Sequence, residues 1–329
     1  MNASLPRRHV LALAAAGAAG LALPSFASDY PSRPIRVIVP YTPGAGTDVV
    51  ARLVMRKVSE IVGQPIVVDN RPGAGSTIGA AEAASAQPDG YTLLWGDAST
   101  FAVNPHVYPN VRYDPRKSFE PISPTIAATF MLVVNPRIGV KTVQDLVAYA
   151  KANPGKLNYG SAGSGTPHHI AMEALKTRFG LRITHIPYKG EAPAVQDLLG
   201  GSIDLMFAGA INAAIHRDSG KLLILGASGA NRSARLPEVP TLAEQGLKDF
   251  SYQVWHGVAA PAGTPAAVVK LLNEAITTTL NSSEVREWLA KNSSAEATPG
   301  TPAAFKSQIA KEFELYRTVV KEAGLKPGG

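Results

Sequence analysis

The sequence predicts an α/β protein of two domains, each a parallel sheet wound by helices, on three observations. Strand-like and helix-like segments alternate through residues 35–96, the same alternation recurs through residues 157–227, and the chain from Thr264 onward reads as helix alone. In the first unit "IRVIVP" (Ile35 to Pro40) is strand-like. The stretch Asp48 to Val62 then places Val50, Leu53, Val54, Val58 and Ile61 on one helical face, and Gly63 ends it. "PIVVDN" is a second strand, "RPGAGST" a loop, Ala80 to Ala86 a small-residue helix, "PDG" a turn and "YTLLWG" a third strand. Strand, helix, strand, helix, strand implies parallel neighbours joined by right-handed crossovers.

The second unit repeats the order. "LNYGSAG" leads into "PHHIAMEALKTRFG", "ITHIPY" into "APAVQDLLGG", and "IDLMFA" and "LLILGAS" follow. Two extended stretches, "FMLVVNP" (Phe130 to Pro136) and "FSYQVWHGVAAP" (Phe250 to Pro261), are where the chain is expected to cross between domains. The final helices carry no strands of their own and must cover an existing sheet, most economically the first. The expected organisation is therefore a discontinuous first domain, 28–129 plus 255–329, a continuous second domain, 130–254, and two crossings that act together as a hinge. A chain of 329 residues has room for both, since a domain typically takes about 100–200 residues.

Hydrophobic content of 45% and charged content of 17% are those of an ordinary globular protein. The first residues differ: Arg7 and Arg8 precede "VLALAAAGAAGLAL", too short a run to span a membrane comfortably, and Ser25 and Ala27 follow at small-residue cleavage positions. Residues 1–27 are expected to be a secretory signal peptide, with Sec and Tat export both open because Pro6 interrupts the twin-arginine pattern. The whole chain carries 32 Lys and Arg against 25 Asp and Glu; residues 1–27 hold two of the bases and no acid, so the mature chain is at +5. Its basic residues are scattered singly without interleaved aromatics, which argues against nucleic acid as a partner. There is no cysteine, hence no disulfide, thiolate chemistry or cysteine-ligated zinc.

Chemistry concentrates in two loops. Gly44-Ala45-Gly46-Thr47 and Gly163-Ser164-Gly165-Thr166 both follow a strand and both open a helix, a G-x-G-T echo. A helix start leaves N–H groups unpaired and carries about half a positive charge, so glycine lets an anion sit on the backbone. If the domains face each other at the carboxyl ends of their strands, the two starts converge on one ligand as a two-sided carboxylate clamp. Nucleotide motifs fail by position: Val49 and His168 stand where G-x-G-x-x-G needs its third glycine, and Thr166 and Pro167 follow the P-loop spacing Gly160–Gly165 in place of Lys and Ser. No phosphate cofactor, and no cofactor of any kind, is expected. Ser161 and Ser164 lack the G-x-S-x-G elbow, and adjacent His168 and His169 do not share a helix face, so catalysis and metal binding have no specific support. Arg71, in "NRPGAGST", reads as a surface turn that reaches the cleft rim at most.

The chain resembles the Bug-type extracytoplasmic solute-binding receptors of tripartite tricarboxylate transporters. The resemblance covers essentially the whole mature chain and rests on "IRVIVPYTPGAGTDVVARL", "VVDNRPGAGSTIGA", "PDGYTLL", "LNYGSAGSGTPHHIAMEALK", "IPYKGEAPAVQDLLGGSIDLMF", "RSARLPEVPTLAEQG" and "WHGVAAPAGTPAAVVKLLNEA", in the family's order. It implies a type II periplasmic-binding-protein fold, two doubly wound α/β domains with a hinge and a ligand cleft between them. By position, the first carboxylate-holding loop is Tyr41 to Asp48, including Thr42, Gly44, Ala45, Gly46 and Thr47. The second is Ser161 to Thr166, with Gly163, Ser164 and Gly165, and His169 at the helix start. Ala98 and Ser99 would line the far end of the cleft, and Ala208 its floor.

Three positions depart from the common pattern. Tyr41 replaces a frequent Phe, Pro167 a polar residue, and Ala208-Gly209 a frequent Asp and its polar neighbour. The last removes a charge from the expected cleft, which favours a dicarboxylate or an aromatic carboxylate over an amino acid. The resemblance thus implies a monomeric periplasmic receptor that hands a small organic acid to membrane transporter subunits. A periplasmic sensor for a signalling kinase, and a serine hydrolase using Ser161 or Ser164, are the alternatives.

Overall fold

The computed structural model describes residues 30–248 and 250–322. The predicted signal peptide, residues 1–27, lies outside them. The first lobe opens with strand β1 (Ile35–Val39), helix α1 (Gly46–Val62), β2 (Ile66–Asn70), α2 (Thr77–Ala84) and β3 (Thr92–Asp97). A π-helical turn (Ser99–Val103) and the short α3 (Asn104–Val107) lead to β4 (Phe119–Val134). The second lobe is α4 (Val143–Ala152), β5 (Asn158–Ser161), α5 (Pro167–Phe179), β6 (Thr184–Pro187), α6 (Glu191–Gly200), β7 (Leu205–Gly209), α7 (Ala210–His216) and β8 (Leu223–Ala227). The chain returns through β9 (Gln253–Pro261) to α8 (Ala266–Asn281), α9 (Ser283–Ser293), β10 (Ala295–Ala297) and α10 (Pro302–Glu322).

The two sheets share one plan. In the first, β1 lies between β2 and β3, parallel to both, and β9 runs antiparallel beside β3. In the second, β5 lies between β6 and β7, parallel to both, and β4 runs antiparallel beside β7. The G-x-G-T echo therefore marks equivalent places: each glycine loop follows the middle strand of a parallel triple.

Strand β4 joins the sheets. Phe119–Thr129 pair with β9, whereas Phe130–Val134 pair with β7 and β8. The crossing segment is thus the end of a 16-residue strand that begins eleven residues earlier, at Phe119, than "FMLVVNP" implied. The expectation that the C-terminal segment is helical alone is corrected by β10, three residues that pair with Ala128–Ile126 of β4. So short a strand carries no readable alternation, and its pairing comes from the neighbour it meets.

The strands alternate sides, and in β1 and in Phe130–Val134 of β4 both faces are largely buried. Ile35, Val37 and Val39 face the layer of α1, α8 and α9, and Ile38 faces the opposite layer with Phe101, Trp255 and Phe305. In β4, Leu132 and Val134 pack toward α4 and α5, and Met131 and Val133 toward α6 and α7. Helix α1 buries Val50, Val54, Met55 and Val58, each contributing about 1.5–3 kcal/mol relative to exposure. It ends at Gly63, whose φ of 72° is the left-handed cap that glycine adopts without strain.

Candidate functional site

Because the neighbours of β1 and of β5 are reached by crossovers in opposite directions, the loop after each middle strand opens at a switch point of its sheet. In the first loop the Asp48 carboxylate accepts from Gly44 N at 2.9 Å, Arg52 Nε at 2.9 Å and Asn70 Nδ2 at 2.9 Å. Burial alone raises the Asp48 pKa, but Arg52 and the Gly44 N–H outweigh it and hold the group below the usual carboxylate range. Ala45 is the N-cap and Gly46 the first helical residue. Asp48 thus fixes the loop that presents the α1 start to the other lobe.

The second loop is braced from within. Ser161 Oγ accepts from Gly163 N at 3.1 Å, Thr166 Oγ1 donates to Gly163 O at 2.6 Å, and Gly165 N donates to His169 Nδ1 at 3.0 Å. Burial, with His185 and Lys176 adding to it, pushes the His169 pKa down to about 3, so the ring is neutral and its Nδ1 free to accept. The His169 ring stacks on His185 at 4.0 Å, and His185 Nε2 lies 2.7 Å from Ser161 Oγ. This serine–histidine contact lies inside the protein, with Ser161 fully buried.

Two cavities lie between the lobes and share Tyr41. The inner one, about 50 Å³, is walled by both helix starts, Gly46 and Thr47 of α1 and Pro167 and His168 of α5, and by Asp97, Phe130 and Glu191. The outer one, about 220 Å³, is walled by Tyr41, Thr42, Gly75, Gly163, Ser164 and the exposed Lys189. Tyr41 divides them, its hydroxyl donating to Asp97 Oδ2 at 2.5 Å; Thr100 N holds the other oxygen of Asp97 at 3.1 Å. Ala98 and Ser99, both buried, sit directly behind Asp97, and Ala208 is buried under Gly209. Arg71 pairs with Asp69 at 3.1 Å within its own lobe.

The lobes touch across the outer cavity. Tyr108 Oη donates to Ser164 O at 2.7 Å. Gly75 has φ of 62°, and a Cβ there would stand 2.4 Å from Ser164 O. Thr42 packs on Gly190, where a Cβ would meet its side chain at 2.8 Å. Gly75, Tyr108 and Gly190 escaped the sequence reading because each acts through a contact with the opposite lobe.

The charge that Ala208-Gly209 take away from the expected cleft has a counterpart nearby. Glu191, first residue of α6, points its carboxylate at the same spot and accepts from Gly209 N at 2.6 Å, with His168 Nε2 at 3.7 Å. A Cβ at Gly209 would lie 3.3 Å from Glu191 Oε1, so glycine makes room for the acid. Burial raises the Glu191 pKa, but His168, Asn212 and the Gly209 N–H prevail and hold it below the usual range. The sequence signal was available: "YKGEAP" places an acid at the helix start after β6, a third loop at the same end of the sheet.

Two α/β lobes joined by crossing strands, with paired helix starts facing an enclosed cleft, define a two-lobed solute-binding protein. Residues 50–325 match the tripartite tricarboxylate transporter family receptor, TctC, and the chain belongs to that family. It is 38% identical to Protein BugT of Bordetella pertussis (strain Tohama I) over 311 residues, 94% of either chain. Among solved structures it is similar to R. palustris Rpa4515 with adipate, at TM-score 0.86 and 34% identity over 90% of this chain and 99% of that one. It is also similar to MatC from Rhodopseudomonas palustris with bound malate, at TM-score 0.81 and 31% identity over 88% of this chain and 100% of that one. Members of this family are solute-binding receptors rather than enzymes, and this chain is a receptor of that kind.

Proposed function

We propose that this chain is a periplasmic receptor that closes over a small organic carboxylate and delivers it, as a monomer, to the membrane subunits of a tripartite tricarboxylate-type transporter. The observation that carries the reading is the convergence of the α1 and α5 starts on one inner cavity. Their N–H groups and dipoles favour an anion there. Gly46 and Thr47 grip from one side, on a turn shaped by Gly44 and Ala45; the α5 start grips from the other, on the loop Ser161 to Thr166 with Gly163, Ser164 and Gly165, which His169 holds. Tyr41, Thr42, Asp48, Ala98, Ser99 and Ala208 shape the chamber. The hinge lies where β4 passes from one sheet to the other at Thr129–Phe130 and where β9 returns, dividing the chain into 28–129 plus 255–329 and 130–254. Export by residues 1–27 fits a periplasmic site of action. The preference for a dicarboxylate or an aromatic carboxylate over an amino acid rests on the charge removed at Ala208-Gly209, and Glu191, whose carboxylate reaches Gly209 N, weighs against it.

A thermal-shift screen of the purified mature chain against mono-, di- and tricarboxylates, aromatic acids, sugars and cationic amino acids tests the reading. A ligand at 100 times its Kd adds about 2.7 kcal/mol of stability. At least one carboxylate is expected to raise the melting temperature. A rise with sugars and with no carboxylate-bearing compound would contradict the anion clamp.

A further inference from the structure

The inner chamber has two unlike kinds of lining. One is formed by the helix starts, where Gly46, Thr47 and His168 offer N–H groups and favour negative charge. The other holds carboxylates that burial withdraws from water: Glu191, 3% exposed, and Asp97, 1% exposed. Asp97 is occupied by the Tyr41 hydroxyl and by Thr100 N. Glu191 receives one N–H, from Gly209, on Oε1. Its other oxygen, Oε2, has His168 Nε2 at 3.7 Å, an ion-pair distance and too long for a hydrogen bond, and the Asn212 side chain also helps to hold the carboxylate in its charged form.

His168 lies beside Glu191. It is 7% exposed, and neither ring nitrogen has a hydrogen-bond partner among the described residues. Its ring is held by stacking on Phe130 at 4.6 Å, so packing and not polar bonding sets its position. A buried polar group left without a partner costs about 1–3 kcal/mol, so a ligand that supplies one gains by it. An acceptor oxygen and an imidazole thus line the same chamber as the helix starts.

We propose that Glu191 and His168 form a second recognition point that selects organic acids carrying, besides the gripped carboxylate, a hydrogen-bond donor group, a protonated amine ahead of a hydroxyl. This rests on the carboxylate-receptor reading and names its substrate class. A donor from the ligand adds a hydrogen bond at Glu191 Oε2, and a cationic donor also meets the opposite charge of the buried Glu191 carboxylate. A ligand lacking such a group leaves Glu191 Oε2 without that hydrogen bond, which discriminates more sharply than a change in apolar size.

Isothermal titration with two matched sets tests this: succinate, malate and aspartate, and benzoate, 4-hydroxybenzoate and 4-(aminomethyl)benzoate. In at least one set the amine-bearing acid is expected to bind the native chain tenfold or more tighter than the acid without a donor, with the hydroxyl acid between them. Glu191→Gln, which keeps an oxygen for Gly209 N, is expected to shrink that gap to about threefold or less. Donor-free acids that bind the native chain as tightly as their partners, or a gap that survives Glu191→Gln, overturn the proposal while leaving the carboxylate receptor intact. Binding by no carboxylate in either set, with sugars bound instead, overturns both. The native-chain comparison stands on its own should the variant fail to fold.

Discussion

Gly75→Ala is expected to weaken carboxylate binding about a hundredfold, or roughly 2.7 kcal/mol, while the chain stays folded. Gly75 belongs to the loop after β2 in the first lobe, and a Cβ there would stand 2.4 Å from Ser164 O of the second lobe and 2.8 Å from Tyr108 Oη. Backbone oxygen does not give way as a flexible side chain would, so the lobes must stay apart. A carboxylate that needs N–H groups from both helix starts then keeps those of one lobe only. The substitution also carries backbone strain, because φ at Gly75 is 62°. Gly63→Ala separates the two effects: its φ is 72° and nothing lies within 4 Å of the added carbon, so strain is present and the cleft is untouched. The Gly63 variant should bind as the native chain does, and the Gly75 variant should not. Small-angle scattering reads the cause directly, since the native chain should contract on adding ligand and the Gly75 variant should contract little. Affinity within threefold of native would show that closure at this contact does not matter.

Gly46→Pro is expected to weaken binding at least tenfold with little loss of stability. Gly46 is the first residue of α1, the position where proline is best tolerated because its N–H has no helical partner. Ala45 before it has φ of −62° and ψ of 155°, the extended conformation that a residue preceding proline prefers. Space is adequate, the nearest atom to a Cβ being Ile211 Cδ1 at 4.0 Å. The substitution therefore removes one N–H donor and little else. An equal loss of melting temperature and affinity would point to a damaged helix, and unchanged affinity would move the anion to another place.

Much of this was legible because it depends on local chemistry. Apolar alternation in "IRVIV" and "DLMF" gave strands, Gly63 gave the end of α1, and G-x-G-T after two strands picked out loops that prove to follow the middle strands of both sheets. What was not legible depends on partners distant in sequence. Asp48 looked like a ligand residue, and its carboxylate turns out to be held by Gly44, Arg52 and Asn70 within its own lobe. His169 looked like a group at the helix start, yet it accepts from Gly165 and stacks on His185. Glu191 was passed over because its importance comes from Gly209, eighteen residues away, and from His168 on another helix. The resemblance located the cleft at Ala208, and only the fold shows which acid reaches it.

The most direct measurement is a crystal structure of the mature chain with a carboxylate identified by the thermal-shift screen. The account expects one carboxylate group within hydrogen-bond distance, about 2.7–3.2 Å, of N–H groups at the α1 start and of the loop or helix start around Gly163–His169. A carboxylate lodged instead in the outer cavity, paired with Lys189 and touching neither helix start, would contradict it.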